Sequence, residues 1–433
     1  MGEGLGYMTI AMPQKSSDVP LLTIAPPSPR KPIIMTSLAV ALGAVFIWMA
    51  PSDQVTTFLF NLGDPVISIP DWEFNSRIGA TVFAILAVLF AAAAWPINAR
   101  RGSLMLPALG VGVSLVLAFL SWVGADSRIP ITGLLQGSLL LAVPLVFGAM
   151  SGVLCERSGV ININIEGQLL VGAFLGAVVG SLLSNAYLGL LAAPVAGALL
   201  GLLLAVFATK YFVDQVVVGV VLNVLAVGLT GFLYTRFLTE EPDLWNNPPL
   251  LPTISIPVLS EIPILGPILF DQNVIVYLMY IVVIVIQIAL FKTRWGLRLR
   301  SVGEHPEAAD SVGIRVNRTR FRAVVLGAAV AGLGGAFFTL GSVGAFGREM
   351  TAGNGFIALA ALIFGRWNPL GALAAALLFG FADNLQNVLS IIGSPIPSQF
   401  LLMLPYVVTI FAVVGLVGRV RAPGADGIPF RKS

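Results

Sequence analysis

Long apolar runs alternate with short polar breaks along this chain. Twelve apolar segments stand out, at about 33–51, 78–96, 104–123, 132–154, 164–184, 187–209, 215–236, 273–291, 323–343, 353–366, 368–389 and 399–418. Most approach about 20 residues, enough to carry a helix across a bilayer. They are too long for the short alternating strands of a membrane barrel. The pattern predicts an all-α polytopic membrane protein with about 10–12 transmembrane helices. The segment at 353–366 is too short for a full crossing and reads as a half-helix or re-entrant piece.

Composition agrees. Of 433 residues, 57% are hydrophobic and 10% charged, with a mean hydropathy of +0.94. Soluble domains carry roughly a quarter charged residues, so these charges are too few to cover a soluble surface. Residues 1–32 lack an apolar core and read as a cytoplasmic tail, with no signal peptide. The single Cys155 excludes an internal disulfide, and one histidine, His305, leaves little room for a metal or catalytic cluster. No phosphate-binding Gly-x-x-x-x-Gly-Lys-Ser/Thr motif occurs, so ATP hydrolysis is not expected on this chain. No Ser-His-Asp or paired-carboxylate arrangement is readable either.

The net charge of +3 changes the picture only through its distribution. Threading the segments alternately from a cytoplasmic N-terminus puts 20 of the 24 basic residues on the cytoplasmic side, leaving Arg77, Arg128, Arg236 and Arg348 outside. The reverse threading breaks the positive-inside rule. Both termini are therefore expected in the cytoplasm. That rule also accounts for the basic residues without nucleic acid.

The last ten segments divide into five spanning 104–236 and five spanning 273–418, with opposite starting sides. That is the order of an inverted repeat. The third member of each set starts at an interruption, Ser158-Gly-Val-Ile-Asn-Ile-Asn-Ile-Glu-Gly-Gln168 in one and Thr351-Ala-Gly-Asn-Gly-Phe356 in the other. Broken helices at membrane depth occur where protein or water satisfies the backbone. The expected organisation is a cytoplasmic tail at 1–32, a transmembrane extension at 33–103, a transmembrane core at 104–418 with a polar cytoplasmic loop at 292–322, and a cytoplasmic C-terminal tail at 419–433. The loops at 52–77 and 237–272, the latter with seven prolines, read as solvated connectors or as a surface for a delivery partner.

Ionisable or amide side chains inside membrane segments are costly and often functional. The candidates for a substrate path are Asn162, Asn164, Glu166, Asn223, Asp383 and Asn384. Each has a plainer reading. Glu166 sits near a helix start, where a carboxylate favours the dipole, and buried amides also join helices. Gly327, Ala331 and Gly335, and Gly371 with Ala375, recur at four-residue spacing, which permits close helix packing.

The polar island between Phe291 and Ala323 holds eight basic residues, three acids and His305. Within it, His305-Pro-Glu-Ala-Ala-Asp-Ser-Val312 predicts a short helix. Pro306 suits the first turn, Glu307 favours the positive dipole end, and Ala308 and Ala309 favour helix. Gly313 can close it. So short a helix is not stable alone and must lean on something.

Gly296-Leu-Arg-Leu-Arg-Ser-Val-Gly-Glu-His-Pro-Glu-Ala-Ala-Asp-Ser-Val-Gly-Ile314 resembles the cytoplasmic coupling segment of permease subunits of bacterial ABC importers, in the family serving branched-chain amino acids, simple sugars and nucleosides. Glu156-Arg-Ser-Gly-Val-Ile-Asn-Ile-Asn-Ile-Glu-Gly167 is similar to the signature of its nucleoside and simple-sugar branch, although Asn164 stands where that pattern has a small residue. Gly219-Val-Val-Leu-Asn223 and Gly355-Phe-Ile-Ala-Leu-Ala-Ala-Leu-Ile-Phe-Gly-Arg-Trp-Asn-Pro369 extend the likeness over about 130–418.

The resemblance implies a transmembrane subunit that forms the translocation path for nucleosides in a plasma-membrane ABC importer, with no cofactor on this chain and ATP with magnesium bound by separate ATPase subunits. It implies a second homologous permease subunit, an extracytoplasmic or lipid-anchored binding protein and surrounding membrane lipid, but no nucleic acid. It places ATPase coupling on Arg300, Gly303, Glu304, Pro306, Glu307, Ala308, Ala309 and Gly313. Simple-sugar or branched-chain amino acid transport, or an ion-coupled carrier using Glu166 or Asp383, are the competing readings.

Overall fold

In the computed structural model, which describes residues 28–63, 67–393, 396–397, 399–400, 403 and 421–432, the apolar runs are helices. The first seven are α1 (Arg30–Met49), α2 (Ser76–Ala99), α3 (Met105–Val123), α4 (Ile131–Glu156), α5 (Ile165–Leu182), α6 (Ala186–Thr209) and α7 (Gln215–Leu233). The others are α8 (Pro242–Trp245), α9 (Val274–Lys292), α10 (Arg294–Glu304), α11 (Pro306–Ser311), α12 (Val316–Ala336), α13 (Asn354–Phe364) and α14 (Pro369–Ile391). Helices α7 and α12 run on as π-type turns at Tyr234–Leu238 and Phe337–Val343.

Among the described residues, ten helices are long and apolar enough to cross a membrane. The chain is an all-α multi-pass membrane protein. Helix α13 has only 11 residues, the short piece expected at 353–366. Most of the expected segment at 399–418 and the first 27 residues lie outside the described residues.

The core is built on α4, the most enclosed span, with α5, α12, α13 and α14 packed around it. Helix α12 lies against both α5 and α6 because the facing positions are small: Gly172 meets Gly332, and Gly197 meets Ala328 and Gly332. A side chain at either glycine would strike backbone. In hydrocarbon, where no hydrophobic drive separates helix from lipid, such close approach supplies the packing energy. The stripe Gly327, Ala331 and Gly335 is buried as expected, with Gly327 against α4 and Gly335 against α5.

Helices α1, α2 and α3 pack chiefly on one another. Three short strands at one end, β1 (Val55–Leu59), β2 (Trp72–Asn75) and β3 (Arg128–Pro130), stitch them to α4. β1 is central, antiparallel to β2 and parallel to β3, with Thr57 opposite Arg128. The connectors expected there are thus structured. The same holds at 237–272, where α8 and the antiparallel pair β4 (Thr253–Ser255) and β5 (Asp271–Asn273) form a small cap. Asn246 ties that cap to the end of α12, exchanging two hydrogen bonds with the Phe346 backbone.

Candidate functional site

Two polar regions stand out in the bundle. The first is the junction where α5 and α13 begin. Residues 160–164 are non-helical, and α13 starts from Gly353, whose φ of 84° is left-handed. Both starts leave backbone N–H groups without helical partners. Glu166 answers for α13: its Oε1 accepts from Thr351 Oγ1 at 2.7 Å and Gly353 N at 2.8 Å, and its Oε2 accepts from Gly355 N at 2.6 Å. A carboxylate at a helix N-terminus also meets the positive end of its dipole. Gly355 has no alternative here, because a Cβ would collide with the Glu166 backbone.

The amides of α5 and α7 are spent in the same way. Asn223 Oδ1 accepts from Gly167 N at 2.8 Å, and its Nδ2 donates to Ile163 O at 3.0 Å, so α7 holds the broken start of α5. Asn162 donates to Ser151 Oγ at 3.1 Å and to Gln168 Oε1 at 3.0 Å, and accepts from Gln168 Nε2 at 3.1 Å. One member differs. Asn164 is 0% exposed, and neither its Oδ1 nor its Nδ2 has a partner among the described residues. It sits beside Gly167 and Gly219, next to Asn223. An unmatched buried amide costs about 1–3 kcal/mol, and its two atoms can together accept from and donate to a polar ring or hydroxyl.

The other two candidates lie elsewhere. Asn384 donates to Leu134 O at 2.7 Å and joins α14 to α4, while Asp383 is exposed on α14. The structure does not bring either to the α5–α13 junction.

The second region is the basic end of the bundle. Thr293 caps α10 by accepting from Gly296 N. Helix α11 follows with Pro306 in its first turn, and Gly313, at φ 86°, turns the chain into α12. Pro306 and Ala309 are buried, which is what a six-residue helix leans on, while Glu307 and Ala308 are exposed. Arg300 stacks on the Phe291 ring at 5.0 Å. Gly303 lies against the Arg157 backbone, and its carbonyl accepts from Ala425 N at 2.8 Å. Of the residues assigned to coupling, only Glu304, Glu307, Ala308 and Gly313 are exposed; the others hold the segment in place.

Sequence reasoning missed what braces this end. Residues 421–432 lie across α10, α11 and α12. Arg320, 2% exposed, donates to Ile428 O at 2.6 Å and to Ala425 O at 3.4 Å. Gly424 N donates to Glu304 Oε2 at 3.1 Å, Lys432 pairs with Asp310 at 3.4 Å, and Phe430 packs with Val302, Ala309 and Val316. Burial pushes the Asp426 carboxyl up to about 7, against the opposing pull of the Arg320 guanidinium. The signature also reaches this end. Glu156 Oε2 accepts from Trp367 Nε1 at 2.5 Å, and Arg157 Nε donates to Trp367 O at 2.8 Å. The sequence carries no signal for the brace, because Arg320 is one of several basic residues at the start of α12 and only the fold shows that it alone among Arg318, Arg320 and Arg322 is buried and needs acceptors.

Among the described residues no group of three or more His, Cys, Asp or Glu side chains is placed to hold a metal. The geometry offers a bonded polar junction with one unmatched amide, and a presented helix.

Comparison with known proteins agrees with that division. The family model described as branched-chain amino acid transport system / permease component matches residues 134–413. The chain is 42% identical over 312 residues to the guanosine ABC transporter permease protein NupQ of Bacillus subtilis, covering 69% of this chain and 96% of the relative. It is 39% identical to the nucleoside ABC transporter permease protein NupC of Lactococcus lactis, covering 68% and 95%. It is 34% identical to the putative glucose ABC transporter permease protein TsgC13 of Haloferax volcanii, covering 59% and 77%. No solved structure matches. The chain belongs to the permease-component family of branched-chain amino acid transport systems: it is a membrane-spanning transport subunit of the ABC permease type, and not an enzyme.

Proposed function

We propose that this chain forms part of the translocation path of an ATP-binding-cassette importer for nucleosides. The family works with an ATPase and a substrate-binding component. The observation that carries the path is Asn164, a buried amide left unmatched where two broken helices meet. The printed names of the 42% and 39% identical relatives support the nucleoside class. A nucleoside offers hydroxyls and base edges, which suit an amide that both donates and accepts.

In this reading the basic end is cytoplasmic, as the distribution of Lys and Arg favours, and both termini lie on that side. ATPase subunits, carrying ATP and magnesium, dock on the exposed face of α11 through Glu307 and Ala308. A second homologous permease subunit completes the path, and an extracytoplasmic binding protein delivers substrate to the cap formed by β4 and β5. The facing starts of α5 and α13 support reading them as corresponding members of an inverted repeat. Nucleotide binding to the ATPases shifts α11, and Gly303, packed against the Arg157 backbone at the end of α4, passes that shift to the turn that leads into α5. A ligand drives such a change only by binding the two states differently.

The test is competition uptake with nucleosides, sugars and branched-chain amino acids, with and without the ATPase. Nucleosides should compete, and uptake should vanish without the ATPase. Competition by glucose alone would support a sugar permease, the reading favoured by the 34% identical relative.

A further inference from the structure

Arg298 on α10 and Arg315, Arg318 and Arg322 at the start of α12 line a single groove with a volume of about 530 Å³. All four are exposed, no carboxylate lines the groove, and none of the four forms a salt bridge among the described residues. Of the two acids on α11, Asp310 is already paired with Lys432, and Glu307 does not line the groove. Val312, which also lines the groove, is 75% exposed.

A second groove, of about 380 Å³, runs between α6 and α12, lined only by Pro194, Val195, Ala198, Leu199, Leu202, Val325 and Ala329. The two grooves share one face of α12. Arg318, Arg322, Val325 and Ala329 are spaced i, i+4, i+7 and i+11, which stacks them along one helical stripe. At about 1.5 Å per residue, the apolar groove begins roughly 5 Å beyond Arg322 and extends another 6 Å or so. The polarity switches from cationic to wholly apolar where α12 enters its hydrophobic span.

We propose that these two grooves form one binding site for an anionic phospholipid, with the headgroup phosphate among the four arginines and an acyl chain between α6 and α12. Charge complementarity identifies the headgroup, since arginine forks match phosphate oxygens. The apolar continuation distinguishes a lipid from a soluble anion or an acidic protein surface, neither of which would fill it. The site lies at the base of α12, beside the segment that carries α11, so an occupied site would hold α12 against α6.

Native mass spectrometry of the assembled transporter, exchanged between vesicles of phosphatidylglycerol and phosphatidylcholine, tests this. Phosphatidylglycerol should be retained selectively. The double variant Arg318→Gln/Arg322→Gln should lower that selectivity roughly thirtyfold, from the attraction each basic side chain gives near a membrane surface. Arg318→Lys/Arg322→Lys should keep most of it, which separates lost charge from misfolding. Ala329→Trp, which fills the apolar groove with every arginine in place, should also reduce retention. Displacement of the lipid by inorganic phosphate or glycerol phosphate would overturn the proposal, as would unchanged selectivity in the Gln variant. Loss of the ATPase with lipid selectivity intact would overturn it too, by assigning the arginines to the protein partner.

Discussion

At the α5–α13 junction polar atoms are matched almost one for one, whereas at the basic end many stand open to solvent. Glu166 takes three donors, and Asn223 accepts once and donates once. At the other end, Glu307 and Arg298, Arg315, Arg318 and Arg322 are exposed. The difference follows from the medium. In hydrocarbon no water covers an unmatched group, so each must be bonded internally or be held for a ligand. At the surface water covers it, and openness costs little. An unmatched atom is therefore informative in the junction, where Asn164 is the exception, and uninformative by itself at the basic end, where only continuity with another feature gives it meaning.

The strongest way to break this comparison is Glu166→Ala. It strips the acceptor from Thr351 and from two backbone N–H groups at the start of α13. Lost bonds to a charged group and newly orphaned donors together predict a loss of about 3–5 kcal/mol, read as a lower unfolding temperature and a collapsed monodisperse yield. Normal stability would mean that the carboxylate is held for transport rather than for the fold. Asn223→Leu should follow it, costing about 2 kcal/mol through two lost bonds.

The second prediction concerns the tail brace and pH. Asp426 rises to about 7 when the tail is docked, from an ordinary value of 3.8, because burial opposes its charge. The docked form therefore binds the proton more tightly, and between about 4 and 7 docking takes up a proton. Docking is strongest at acid pH, weakens as pH rises through that window, and is flat above it. Relative to the intrinsic, base-catalysed exchange rate at each pH, the amides of residues 421–432 should be less protected at pH 8 than at pH 5. Asp426→Asn should remove most of that difference.

Much of this was legible in the sequence, and the reasons differ by element. The spans were readable because a bilayer imposes length and hydropathy on each helix separately. Helix α11 was readable because Pro306 and Gly313 are local start and stop signals. The match between Glu166 and Thr351 was not, since the two lie 185 positions apart and only the tertiary approach of α5 to α13 brings them together. Arg320 and Ile428 are a similar case, 108 positions apart. Asp383 is a different case: position along a helix can be counted from sequence, but which way the side chain faces cannot.

A smaller effect, of opposite sign on its two readouts, is expected for Asn164→Ala. Removing an unmatched buried amide should leave stability unchanged or raise it by up to about 1 kcal/mol. Nucleoside uptake should nevertheless fall about tenfold if one hydrogen bond to substrate is lost in the state that moves it. Stability and uptake falling together would mean that Asn164 is bonded in another conformation and belongs with its matched neighbours.

The smallest expected change in stability comes from Glu307→Arg/Ala308→Arg. Both side chains are exposed on α11, while Pro306 and Ala309 do the packing. Surface substitutions away from packed features usually stay within about 0.5 kcal/mol, so insertion and unfolding temperature should hold. Capture of the ATPase should nevertheless fail, because two bulky cations replace the acid and the small side chain on the face offered to it. Ala309→Arg should behave oppositely, unfolding the segment by forcing a charge into the cluster of Val302, Val316 and Phe430. If both variants lost stability equally, α11 would have no free face and docking would have to be sought elsewhere on the basic end. If the first variant kept the ATPase, the exposure of Glu307 and Ala308 would carry no more meaning than any solvated surface.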